Sequence, residues 1–181
     1  MTVDGQWLTL QVPLMFTWGA SEYVDENTGI PKYSLGLVFD PEKSDSQAKF
    51  LEQMKLLQEK VYNDAVTNSK EWFGKNISSA EVIDALWTPM LRYPKNAETG
   101  EPDKTRAPTL RIKMPFWEGD YKFELYSPTG TQLFPDEEGG GDFESILTKG
   151  SYTSALIQCG GIWFANGKFG ITWRLVPVSY T

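Results

Sequence analysis

The chain contains no histidine and only one cysteine, Cys159, among 181 residues. Without an imidazole, a serine-type triad with its usual base and the common zinc sites fall away. A single thiol builds neither a thiolate metal cluster nor an intramolecular disulfide, which leans toward a reducing compartment. No stretch approaches the ~20 apolar residues that span a bilayer. Asp4 stands where a signal peptide carries positive charge, and no apolar segment follows it. A soluble, intracellular protein without a membrane association is expected. Positive charge is also in the minority, with 17 Lys and Arg against 24 Asp and Glu, a net −7. Coating a polyanion by bulk charge is therefore disfavoured, although a groove needs only local positive potential. Carboxylates alone can hold magnesium where they converge rigidly. The nearest spacing, Glu98 with Glu101, falls in a loop and does not stand out from surface charge. No catalytic residue, metal site or cofactor is expected, and the chain reads as a non-enzyme.

What is present is patterning. The length suits one domain over residues 1–181, large enough to bury roughly 70% of its unfolded surface without staples. Apolar-rich runs at 8–12 and 15–18 flank Pro13, a turn follows at 25–29, and residues 33–39 alternate with Leu35, Leu37 and Phe39 on one face. From Ser44 the period changes: Phe50, Met54, Leu57, Val61 and Ala65 make the stripe of a helix over 45–68, with Ser44 and Gln47 as a capping box. Ser78 with Glu81 opens a second, shorter helix that stops before Pro89, and Trp72-Phe73 falls in a loop between the two. Residues 93–108, with four prolines and glycines, predict an exposed, mobile loop. Residues 109–114 alternate again, Leu110, Ile112 and Met114 against Thr109, Arg111 and Lys113. Tyr121, Phe123 and Leu125 suggest a partner strand that makes a hairpin with them. After an acidic, glycine-rich loop at 136–142 come strands at 151–159, 161–164 and 168–178. Asn166-Gly167 between the last two is a type I′ turn signal, and Phe169, Ile171, Trp173 and Leu175 form a buried face. The whole predicts a mainly β, α+β fold: a partly open β-barrel with one long inserted helix and a second short one, or else a two-sheet sandwich.

Four features bear on function. Arg111, Lys113 and Lys122 share the open face of the predicted hairpin, are fed by Lys104 and Arg106, and end near Phe116-Trp117. Single-stranded nucleic acid is held by cations that track phosphates and by rings on which bases stack, so this is the first candidate surface. An outward strand face is also charged simply because it meets water. Arg92 and Tyr93, with Lys95, lead into the basic loop and form a second candidate. Trp163 and Phe164 are adjacent on a strand and so point to opposite faces, offering one ring for stacking or packing. The acidic run Asp136-Glu137-Glu138 reads as a solvated turn, and Cys159 as a small core residue.

The layout resembles the OB-fold single-stranded-DNA-binding proteins of tailed phages and of nucleocytoplasmic large DNA viruses. The stretches that carry the resemblance are Pro31-Lys32-Tyr33-Ser34-Leu35-Gly36-Leu37-Val38-Phe39, Asn68-Ser69-Lys70-Glu71-Trp72-Phe73-Gly74-Lys75 and Thr109-Leu110-Arg111-Ile112-Lys113-Met114-Pro115. The C-terminal Ile157-Gln158-Cys159-Gly160-Gly161-Ile162-Trp163-Phe164 and Lys168-Phe169-Gly170-Ile171-Thr172-Trp173 complete it. The resemblance implies an OB-fold and sequence-tolerant, non-catalytic binding of single-stranded DNA in viral replication, recombination or repair. It further implies replication proteins such as a DNA polymerase as partners, a homodimer, and residence in host cytoplasm or nucleus. Its basic, aromatic groove fits Arg111, Lys113 and Trp117, and with Arg92, Tyr93, Lys104, Arg106 and Lys122 of the candidate surfaces these are the expected binding residues. The phage proteins end in an acidic tail, whereas this sequence ends Val176-Pro177-Val178-Ser179-Tyr180-Thr181. The rival reading is a viral structural or protein-interaction module without a nucleic-acid ligand, which the net negative charge favours.

Overall fold

A computed structural model describes residues 2–3, 6–26, 28–77, 79–136 and 141–176. Asn27 of the expected turn, Ser78 of the second expected cap, residues 137–140 of the acidic loop and the end of the last expected strand at 177–178 lie outside them, as do residues 179–181. In chain order, β1 (Thr2–Val3) and β2 (Gln6–Trp7) pair with each other, and β3 (Thr9–Val24) and β4 (Pro31–Val38) form a long antiparallel hairpin. The helices α1 (Asp45–Thr67), α2 (Ser69–Phe73) and α3 (Ala80–Leu86) follow. The short strands β5 (Trp87–Thr88) and β6 (Leu91–Arg92) lead to β7 (Thr109–Met114), β8 (Phe116–Trp117), β9 (Asp120–Tyr121), β10 (Leu125–Tyr126) and β11 (Gln132–Phe134). A one-turn helix α4 (Phe143–Ile146) precedes the closing hairpin of β12 (Tyr152–Ala165) and β13 (Lys168–Leu175).

Seven strands share one mixed sheet in the order β5-β13-β12-β3-β4-β7-β6, and a further pairing of β13 with β7 brings the sheet round on itself. That closure is parallel and registers one residue pair, Arg174 with Lys113. The result is an OB-like α+β fold, a largely antiparallel sheet curled into a partly closed ring with helices inserted after its second long strand. Strand alternation fills the ring: Val12, Met15, Leu35, Leu37, Leu110, Ile112, Ile157, Cys159 and Trp173 are almost wholly buried in one apolar cluster. Trp173 completes its burial by donating its indole N–H to the Met90 sulfur at 3.2 Å.

The long helix matches its expected span within a residue. Its stripe of Phe50, Met54, Val61 and Ala65 is buried, and Ser44 caps it by accepting from the Gln47 amide at 3.4 Å. The other half of the expected capping box is absent, because the Gln47 side chain is committed elsewhere. Its Oε1 accepts from the Asp40 amide (2.7 Å) and its Nε2 donates to the Leu14 carbonyl (2.8 Å), tying the helix start to β3 and to the exit from β4. About three turns further on, Gln58 Oε1 accepts from the amides of Met90 (3.0 Å) and Leu91 (3.1 Å). Two glutamines in line with the buried stripe thus bolt α1 across the ring.

Several elements differ from the sequence expectation. Pro13 does not divide the first strand, since β3 runs through it, and β12 runs unbroken through Gly160-Gly161 with a bulge after Cys159. Trp72-Phe73 lies in α2 rather than in a loop, ended by Gly74 at φ 73°, a left-handed turn that glycine adopts without strain. The short helix α3 starts from Ser79. Residues 121–125 do not pair with β7, which instead lies between β4 and β6. Phe116-Trp117 and Asp120-Tyr121 form a small hairpin turned by Glu118 and Gly119 at positive φ, and Leu125 pairs instead with Phe134 of β11. The stretch 93–108 is itself pinned as a hairpin-like loop, with Asn96 donating to the Glu101 carbonyl (2.8 Å) and Asp103 to that of Pro94 (2.8 Å).

Candidate nucleic-acid interface

On the outside of the ring, across the seam where β7 meets β13, lies an open cleft of about 710 Å³. Strand alternation builds it. The positions of β7 between its buried residues carry Arg111 and Lys113, both exposed, and those of β13 carry Thr172 and Arg174. Arg92 enters from β6 and Lys32 from β4, while Trp117 from β8 and Trp163 from β12 supply the largest rings. Among the described residues, five cations therefore line the cleft and no carboxylate does. In a chain with an excess of acid this segregation is the main electrostatic feature.

The cations differ in their partners. Lys32 is ion-paired with Asp25, which raises its pKa. Arg92, Arg111, Lys113 and Arg174 have no carboxylate partner among the described residues. Loss of solvation, and then the proximity of Arg111, lower the pKa of Arg92, the signature of like charges gathered without a counter-ion. Neutral groups orient two of the arginines. Arg111 Nε donates to Ser34 Oγ at 2.9 Å, and that hydroxyl is itself paired with Ser21 Oγ at 2.8 Å. Arg174 donates from Nε (3.1 Å) and from its terminal Nη2 to the amide oxygen of Gln158, its cross-strand neighbour.

The rings are also placed by specific means. Trp163 and Gly170 face each other across β12 and β13, and the indole lies over the bare backbone there. A Cβ on Gly170 would sit 3.1 Å from the indole Nε1 and Cζ2 and 2.7 Å from the Thr88 carbonyl. Trp117 is 47% exposed at the tip of its hairpin, whose base is held by Phe116 packing edge-on against Tyr33. Phe164, the neighbour of Trp163, points the other way and packs near Trp72, Phe73 and Phe169.

Of the residues singled out in sequence, Arg92, Arg111, Lys113 and Trp117 come together in the cleft. Lys122 does not line it; it is ion-paired with Asp120 at 3.0 Å, because the strand meant to carry it beside Arg111 does not form. Lys104 and Arg106 stay in the loop at 93–108, and Tyr93 packs against the main core, where burial raises its phenol pKa. Sequence reading missed Arg174, hidden within a strand judged by its buried alternates, and Ser34, Gln158 and Lys32.

Fold and cleft define an OB-like protein with a basic, aromatic groove. No protein-family model matches the chain, and no curated protein matches it in sequence. Among solved structures, the fold is that of the single-stranded DNA-binding protein from bacteriophage Enc34, solved in complex with ssDNA. The two share 12% identity with a TM-score of 0.53, over 93% of this chain and 83% of that one. A further similar structure is gp2.5, a single-stranded DNA binding protein encoded by bacteriophage T7, with 13% identity and a TM-score of 0.46 over 96% and 93% of the two chains.

Proposed function

We propose that this chain is a single, non-catalytic domain that binds single-stranded DNA without sequence preference, in the cleft over the β7–β13 seam. The observation that carries this reading is the cleft's charge pattern: four cations unpaired by carboxylate among the described residues, flanked by Trp117 and Trp163. Cations without counter-ions suit a polyanionic backbone, and exposed indoles suit unstacked bases of any sequence. A duplex hides its base faces and gives the two indoles nothing to stack on. The shared fold with a phage protein solved on ssDNA supports the same ligand. The wider role we assign is the coating of exposed strands during viral DNA replication, recombination or repair. There the chain serves, as a homodimer, beside replication proteins such as a polymerase in host cytoplasm or nucleus.

The test is titration with oligo-dT, read by tryptophan fluorescence over a range of salt. Binding should quench the indoles, and the log–log salt slope should approach roughly 3, at about 0.7 for each phosphate met by one of the four free cations. Arg111→Ala with Lys113→Ala should weaken binding and lower the slope by roughly 1.4. No binding at low salt would overturn the proposal; wild-type behaviour of the double variant would overturn the site.

A further inference from the structure

The two best-held arginines of the cleft are oriented by uncharged acceptors, and this has a functional meaning. A carboxylate would orient a guanidinium more strongly than an amide or a hydroxyl, since it adds the attraction of opposite charges and a bidentate fork geometry. It would also neutralise it. Gln158 stands opposite Arg174 in the β12–β13 register, a position where glutamate would make an ordinary cross-strand ion pair. Ser34, almost wholly buried, stands beneath Arg111, with its hydroxyl held by Ser21.

We propose that Gln158 and Ser34 are positioning residues for the strand-binding cleft, fixing Arg174 and Arg111 through Nε while leaving each cation its full charge for a phosphate. The inference rests on the proposed binding of single-stranded DNA in this cleft. Geometry supports the division of labour. Gln158 occupies one edge of the Arg174 fork, from Nε to Nη2, so the other terminal nitrogen is left to the ligand. Ser34 takes only Nε of Arg111, leaving both terminal nitrogens. An arginine so anchored loses less side-chain freedom on meeting a phosphate than one swinging free in water.

The first variant is Gln158→Glu, which keeps the shape and strengthens the hold on Arg174 but removes its charge from the ligand. It should melt at or above the wild-type temperature, yet bind oligo-dT about tenfold more weakly at low salt, with the salt slope reduced by about 0.7. The added carboxylate weakens binding by its charge alone, so the alanine variants are what separate a positioning glutamine from a merely structural one. Ser34→Ala and Gln158→Ala remove an anchor and leave the charge. Each should bind several-fold more weakly with the slope unchanged. A Gln158→Glu variant with wild-type affinity and slope would overturn the inference while leaving the cleft's function standing, as would wild-type affinity in both alanine variants. Failure of the wild-type chain to bind oligo-dT would instead overturn the function on which the inference depends.

Discussion

Gly170 illustrates how a single missing atom shapes the cleft. Its close neighbours are the Thr88 carbonyl, where β5 pairs in parallel, and the indole of Trp163. A methyl group there meets backbone at 2.7 Å, which no rotamer change relieves. Gly170→Ala should therefore destabilise the fold by about 1–3 kcal/mol, as overpacking does, and tilt Trp163 off its platform. Denaturant unfolding measures the first effect, and a smaller fluorescence change on adding oligo-dT measures the second. Full quenching in a variant of wild-type stability would show that the glycine has no such role. Trp163→Phe, which keeps a ring on the same platform, should retain most of the affinity.

At the scale of elements, α1 acts as a strut, and its two glutamines do what its apolar stripe alone does not. Phe50, Met54 and Val61 set which face lies inward, but a stripe permits sliding along the ring. Gln47 and Gln58 fix the position by satisfying backbone groups of three distant segments. Gln47→Ala strands the buried Asp40 amide and Leu14 carbonyl, and should cost about 2 kcal/mol in urea unfolding, the scale of unsatisfied polar groups; a loss below about 0.5 kcal/mol would contradict the bolt. The helix itself, the Asn166-Gly167 turn, and the alternation of β7 and β13 were legible in sequence because each depends on neighbours within a few residues. The resemblance to viral single-stranded-DNA-binding proteins holds at the level of fold. The bolts were not legible, since the local pattern gives Gln47 a capping role and nothing local shows its side chain reaching Asp40 and Leu14. For the same reason Lys122 was grouped with Arg111 across a hairpin that does not form, and Arg174 was passed over. Its partner in the cleft is Lys113, and only the closing of the ring brings them together.

Over the whole molecule, charge is distributed against its own average. The chain carries a net −7, yet among the described residues its cleft has five cations and no carboxylate. The acidic remainder repels other polyanions at long range, within the ~10 Å reach of such forces at moderate salt, and confines attraction to one groove. Among the described residues no helix is long and apolar enough to cross a membrane. The ring closes where Arg174 and Lys113 register, and that single pair joins two strands through residues of like charge. It is a clasp whose halves carry like charge, and in the proposed complex a phosphate backbone laid across it is the fastener. Hydrogen exchange should reveal this: on addition of oligo-dT the amides around Lys113 and Arg174 should slow far more than those of the β3–β4 hairpin. Uniform slowing across both would contradict it. In the proposed complex a filled groove and a firmer seam are one event, the strand steadying the pair that closes the ring.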